Sequence, residues 1–252
     1  MADWTRGELE KTLDSIELAV TIPVNLRIKG KQTILDLTEM EKILREAELI
    51  SIGECGCRKK LRRCNAPLDV CFSLDKEAEE FVKKGLARKA SLGEALDALK
   101  RSHEAGLVHI TYTFKGKKKP EVICSCCSCC CHSLSALVRF GVPDVVAASK
   151  FIAALDPETC INCGKCVTRC QFRARRLENG QMIYDKTRCF GCGLCASTCP
   201  TGSISLVTEP LARTNRATDN SRKPAHILGY RRKPHLGQSN RTVEITTQER
   251  KH

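Results

Sequence analysis

Residues Cys160–Gln171 read CINCGKCVTRCQ, and residues Cys189–Pro200 read CFGCGLCASTCP. One spacing, Cys-x2-Cys-x2-Cys-x3-Cys, occurs twice: Cys160, Cys163, Cys166 and Cys170, then Cys189, Cys192, Cys195 and Cys199. Two-residue spacers bend the backbone so that three thiols converge, and Gly164, Gly191 and Gly193 permit the bend without a Cβ clash. Eight soft anionic donors in two sets of four suit iron–sulfur cubanes, which take one thiolate per iron. Zinc is the rival, but two Cys-x2-Cys pairs would satisfy it and leave the third and fourth cysteines of each copy without a task. FIAALD, RRLENG-QMIYD and SISLV flank the two loops as short strands.

Working outward, the 252-residue chain is long enough for a real core, and its 42% hydrophobic and 28% charged content is ordinary for a globular protein. Eighteen cysteines are not ordinary. The start, MADWTRGELEKTLD, lacks the apolar segment of an export signal. The most apolar stretch, SALVRFGVPDVVAASKFIAAL, is interrupted by Arg139, Pro143, Asp144 and Lys150. We therefore expect a cytoplasmic protein with no membrane span, where clustered cysteines bind metal rather than form disulfides. Of the formal net charge of +13, the segment from Leu211 to His252 supplies +7.

Composition divides the chain into 1–120, a mixed α+β module; 121–150, a cysteine run with a connecting helix; 151–209, the paired motifs; and 210–252, a basic tail that reads as disordered. Thr38 and Glu41 read as a capping box opening a helix, and a second helix spans Asp75 to Lys84, stopped by Gly85. Ser91 and Glu94 form another capping box, whose helix ends at Gly106. LVHITYTF and EVIC, separated by KGKKKP, read as a β-hairpin. Helix, turn, helix and hairpin together suggest a winged helix, with Lys115, Lys117, Lys118 and Lys119 on the wing. A plain α+β module with a basic turn is the preferred reading, which makes nucleic acid an unlikely partner.

Ten further cysteines precede the motifs. Cys55, Cys57, Cys64 and Cys71 give Cys-x-Cys-x6-Cys-x6-Cys, and ICSCCSCCCH holds Cys124, Cys126, Cys127, Cys129, Cys130 and Cys131 before His132. Cys55, Cys57, Cys64 and Cys71 have the right number for one tetrathiolate site. Structural zinc, a further [4Fe-4S] cluster and buried thiols all fit, and the single-residue spacer favours a cluster over zinc. On a strand, Cys124 and Cys126 share one face and Cys127, Cys129 and Cys131 the other, so a turn within the run, or help from Cys55, Cys57, Cys64 and Cys71, is needed to surround one centre. The ten could complete two four-thiolate sites, or one cluster beside a thiol pair that cycles to disulfide.

Residues 151–209 resemble a bacterial dicluster [4Fe-4S] ferredoxin domain. The resemblance implies a ferredoxin-like fold and low-potential electron transfer. It also implies exchange of the fourth ligands, with Cys160, Cys163, Cys166 and Cys199 on one cluster and Cys189, Cys192, Cys195 and Cys170 on the other. Gln171 stands where that pattern has proline, bringing a side-chain amide toward a cluster or simply serving the first helical turn. Through GECGCR, APLDVC, EAGLVH and ICSCCSCCC, the larger stretch resembles multi-cluster proteins of anaerobic bacteria and archaea. The expected function is electron carriage, or electron input to a partner oxidoreductase. A reductase centred on the upstream cysteines and a redox-sensing regulator are the alternatives.

Overall fold

The structure, a computed structural model, describes residues 3–14, 16–21, 26–27, 34–35, 38–142 and 145–208. Its elements run α1 (Arg6–Asp14), β1 (Ile16–Thr21), β2 (Leu26–Arg27), β3 (Ile34–Leu35), α2 (Thr38–Glu46), β4 (Ile50–Glu54), α3 (Gly56–Leu61), β5 (Asp69–Leu74), α4 (Asp75–Lys83), β6 (Ala87–Ala90) and α5 (Leu92–Glu104). There follow β7 (Val108–Phe114), β8 (Val122–Cys126), α6 (His132–Phe140), β9 (Phe151–Leu155), α7 (Lys165–Arg169), β10 (Arg175–Glu178), β11 (Gln181–Tyr184), a 3-10 turn (Lys186–Arg188), α8 (Leu194–Ser197) and β12 (Ile204–Thr208). The class is α+β with short antiparallel strands. The tail expected to be disordered lies outside the described residues.

Six strands form an antiparallel sheet in the order β1-β7-β8-β5-β4-β6. Alternation gives it two unlike faces. Ile50, Ile52, Phe72, Leu74 and Ile123 face one side and pack with Met40 and Leu44 of α2 and Ala95, Ala98 and Leu99 of α5. Burying each large side chain there contributes about 1.5–3 kcal/mol. The opposite face is built from the alternate positions. Val108, Ile110 and Tyr112 share a core with Cys126, Cys131 and Leu134, and with Phe172 and Leu194 from beyond β9. Cys71 stands directly across from Cys124, which also faces Ile110. A thiol-bearing face is therefore a consequence of strand parity.

The Ser91 box is present: the Ser91 hydroxyl accepts from the Glu94 amide, and the Glu94 carboxylate accepts from the Ser91 amide. Thr38, by contrast, is already inside α2, and Glu41 pairs with Arg45. The sheet bears out the plain α+β module over the winged-helix alternative. β7 lies between β1 and β8, and β8 between β7 and β5, so the hairpin is interior to the sheet rather than a projecting wing. Its basic turn is exposed, and Lys117 pairs with Glu121 at 3.0 Å. Beyond α6, β9 pairs with β12 and β10 with β11, framing the motif loops. Among the described residues no helix is long and apolar enough to cross a membrane.

Candidate metal centres

The eight motif cysteines line two cavities, and each cavity draws on both motifs. Cys160, Cys163 and Cys166 surround one together with Cys199. Cys189, Cys192 and Cys195 surround the other together with Cys170, and Ala153, Phe172, Phe190 and Leu206 help to wall it. A single helical turn makes the exchange. Gly164 and Gly193, at φ 73° and 80°, open α7 and α8. Cys166 and Cys195 sit inside those helices, while Cys170 and Cys199 come one turn later, past the helix ends. The fourth cysteine thus follows the short helix, whose last turn is built largely from the three-residue spacer. At Gly191, φ 68°, an added Cβ would land on the Phe151 carbonyl oxygen and Ser149 Oγ.

This donor set fits four-iron clusters. Both terminal nitrogens of buried Arg175 and the hydroxyl of Tyr184, beside the second cavity, make no well-formed hydrogen bond, and the groups they face are the Cys195 and Cys189 thiols. The guanidinium lies 4.1 Å from the Tyr184 ring centroid and near the Cys195 and Cys166 thiols. A sulfur-rich anion would supply the acceptors that these buried donors need. Burial pushes the Cys195 thiol up to about 12, against the pull of Arg175, and raises Cys166, Cys170 and Cys192 as well. Burial also works to raise Cys199, but the Ser203 and Thr201 hydroxyls and nearby backbone amides outweigh it and bring that thiol down to about 7. Metal binding must therefore displace protons from most of these sulfurs.

The ten upstream cysteines form two groups, and the division does not follow the sequence. Cys55 caps α3 and Cys57 lies in its first turn, but α3 ends at Arg62 in a left-handed conformation, so Cys64 emerges at the other end. Cys64 joins Cys127, Cys129 and Cys130, all four sulfurs lying within 4.8 Å of one another. The turn that brings Cys127 to Cys130 round follows the end of β8 and is closed by the Cys131 amide donating to the Cys127 carbonyl at 3.0 Å. Hydrogen bonds from Cys127, Cys129 and Cys130 hold the Cys64 thiol well below its ordinary range.

The other six thiols interact in succession, Cys57 with Cys55, then Cys71, Cys124, Cys126 and Cys131. The succession closes on itself, because Cys131 also acts electrostatically on Cys57. Hydrogen bonds from Cys57 and Cys71 pull the Cys55 thiol down to about 2. His132 reaches this ring through Nδ1, 3.3 Å from the Cys57 sulfur, while its Nε2 is buried without a partner. Arg58, 1% exposed, lies between the two groups and donates to the Pro67 carbonyl at 2.9 Å and the Ser125 carbonyl at 2.5 Å. Burial opposes its charge, but Cys55, Cys127, Cys71 and Cys126 outweigh that and strengthen it.

Gln171 joins the two halves. Its Oε1 accepts from the Ser128 amide and hydroxyl, each at 2.9 Å, and its Nε2 donates to the Gly106 carbonyl at 2.9 Å. The amide that the sequence pointed toward a cluster instead commits its donor to Gly106 and its acceptor to Ser128 of the cysteine run. Arg169 donates to the His103 and Glu104 carbonyls at the end of α5, where a cation complements the helix dipole. Phe172 and Phe190 stack with centroids 4.4 Å apart, in the same core as Cys126 and Cys131.

Residues 153–206 match the family model of the 4Fe-4S dicluster domain. Comparison with curated proteins found no match. The chain therefore carries a dicluster [4Fe-4S] domain of the iron–sulfur electron-transfer kind, with additional metal sites in its cysteine-rich N-terminal region. Sequence reading passed over Arg58 and Arg175. The available signal was placement: RKKLRR fills the interval between Cys57 and Cys64, and buried thiolates require nearby cations.

Proposed function

We propose that this protein moves single electrons at low potential through two [4Fe-4S] clusters, one held by Cys160, Cys163, Cys166 and Cys199, the other by Cys189, Cys192, Cys195 and Cys170. The observation that carries this reading is the pair of cavities, each walled by four cysteines drawn from both motifs. A bound cluster supplies a one-electron couple. The chain holds it in place, excludes water with Phe172, Phe190 and Leu206, and directs the charge of Arg175 and the hydroxyl of Tyr184 toward the second cavity. Those donors favour the more negative, reduced state and so help to set the potential.

Unequal exposure supports an order for the relay. Cys163 is exposed and Ile161 is 63% exposed, so the first set faces the surface where a redox partner protein would dock. Cys189 and Cys195 are buried, and Cys170 and Cys192 pack into the core that contains Cys126 and Cys131. On this reading electrons enter at the first set, pass to the second and continue to a centre at the six-thiol ring, the chain acting as carrier or electron-input unit for an oxidoreductase. Eighteen free cysteines suit a reducing, cytoplasmic, anaerobic setting.

Protein purified anaerobically should contain at least about eight irons and eight acid-labile sulfides per chain. Its reduced state should show interacting spin-one-half signals by EPR, and Cys192→Ala should remove one of the two partners. Stoichiometric zinc with no sulfide would overturn the assignment.

A further inference from the structure

We propose that Cys64, Cys127, Cys129 and Cys130 hold one divalent ion, zinc or ferrous iron, as a mononuclear tetrathiolate separate from every iron–sulfur cluster. The distances decide the nuclearity. The Cys64 sulfur lies 3.7 Å from that of Cys127 and 3.9 Å from that of Cys130, and the Cys129 and Cys130 sulfurs are 3.8 Å apart. Four sulfurs each about 2.3 Å from a tetrahedral ion stand about 3.8 Å from one another. In a cubane each thiolate caps a different iron and the four sulfurs diverge, so thiols already in mutual contact leave no room for four irons and four sulfides. The motif cysteines, by contrast, line cavities.

The surroundings fit a dianionic tetrathiolate centre. The Ala66 amide near Cys64 and the Arg63 amide near Cys130 each favour the thiolate form of their sulfur. Buried Arg58 lies near Cys127 and supplies balancing charge. The Trp4 indole donates to the Cys130 carbonyl at 2.8 Å, and Asp3 pairs with Arg63 at 2.7 Å and Arg139 at 2.6 Å, strapping the N-terminal residues across the site. With all four positions filled by thiolate, the ion has no open position for a substrate, and its role is structural. It fastens the loop after α3 to the turn after β8, in which Ser128 is the residue that Gln171 grips. The ion thus steadies the seat of the dicluster domain.

The test is metal stoichiometry on the full chain, purified anaerobically. A zinc site gives about one zinc per chain beside the cluster iron; an iron site gives about one iron beyond sulfide and a high-spin ferric signal on oxidation. Growth with cobalt(II) should add thiolate-to-cobalt charge-transfer bands of a tetrahedral centre. Cys64→Ser and Cys129→Ser should each abolish this ion, whereas Cys57→Ser and Cys192→Ala should retain it. If Cys64→Ser instead removes about four irons with their sulfides, the site is a cluster and the proposal fails. Wild-type protein with no metal in excess of the clusters, its four thiols free or paired as disulfides, overturns it without any variant. Loss of the motif clusters with the cobalt bands intact would refute the electron-transfer reading alone.

Discussion

At the scale of single residues, buried polar groups account for most of what distinguishes this chain. His109 is 2% exposed, hydrogen-bonded through Nδ1 to Ser125 Oγ at 3.0 Å and stacked on His103 with centroids 6.1 Å apart. Burial pushes His109 down to about 3 and, with Arg169 adding to it, His103 down to about 4, from an ordinary 6.5. Both are therefore neutral when folded. The unfolded chain binds more protons below pH 6.5, so their stabilisation is complete above that pH and is lost as pH falls toward 4 and then 3. Each costs about 1.4 kcal/mol per pH unit within that window. Anaerobic urea unfolding at pH 7 and pH 5.5 should show a decline that His109→Asn makes shallower by about 1 kcal/mol; an unchanged pH dependence would mean His109 is not buried neutral. Neither histidine was legible as buried in the sequence, because burial depends on which face of the sheet α5 and α8 cover.

At the scale of elements, spacing was the most legible feature. Cys-x2-Cys-x2-Cys-x3-Cys gave the two ligand sets, and LVHITYTF and EVIC about a basic turn gave β7 and β8, because both are local properties of the chain. The partition of the upstream cysteines was not local. It depends on α3 being six residues long and ending in a left-handed Arg62, which sends Cys64 away from Cys55 and Cys57. The loop of the second motif shows how tightly one element can be specified. Gly191→Ala puts a Cβ against the Phe151 carbonyl and forces a side chain into positive φ, a strain of order 1–3 kcal/mol before any clash. Iron analysis of that variant should find about four irons fewer, with the signal from the Cys160 set preserved. Full occupancy would show that the loop can shift at little cost.

At the scale of the whole molecule, the paired-motif region and the cysteine-rich region share a core, which composition alone had divided at 150. Phe172 and Leu194 complete a hydrophobic cluster begun by Val108, Ile110 and Leu134. The β7–β8 hairpin shows why this was hidden: neighbours along the chain announce a hairpin, but only long-range pairing with β1 and β5 makes it the middle of a sheet. Gln171 is the polar part of that union. Its replacement by Ala removes three hydrogen bonds and leaves the Ser128 amide without its acceptor, a loss of about 1–3 kcal/mol. Fluorescence of Trp4, the single tryptophan, reports the N-terminal region and cluster absorbance the other. The two should fail together on anaerobic unfolding of the wild type and separate in Gln171→Ala. Separate transitions in the wild type would refute the shared core.

The unequal exposure of the two motif sets has a consequence for how the protein ages. Oxygen and peroxide reach Cys163 at the surface long before they reach Cys189 or Cys195 in the interior. Air damage should begin at the outer cluster and stop there for a time, the inner one surviving as a bleached sample's last colour. The exposed end is thus the first to be lost and sets the working lifetime of the whole chain.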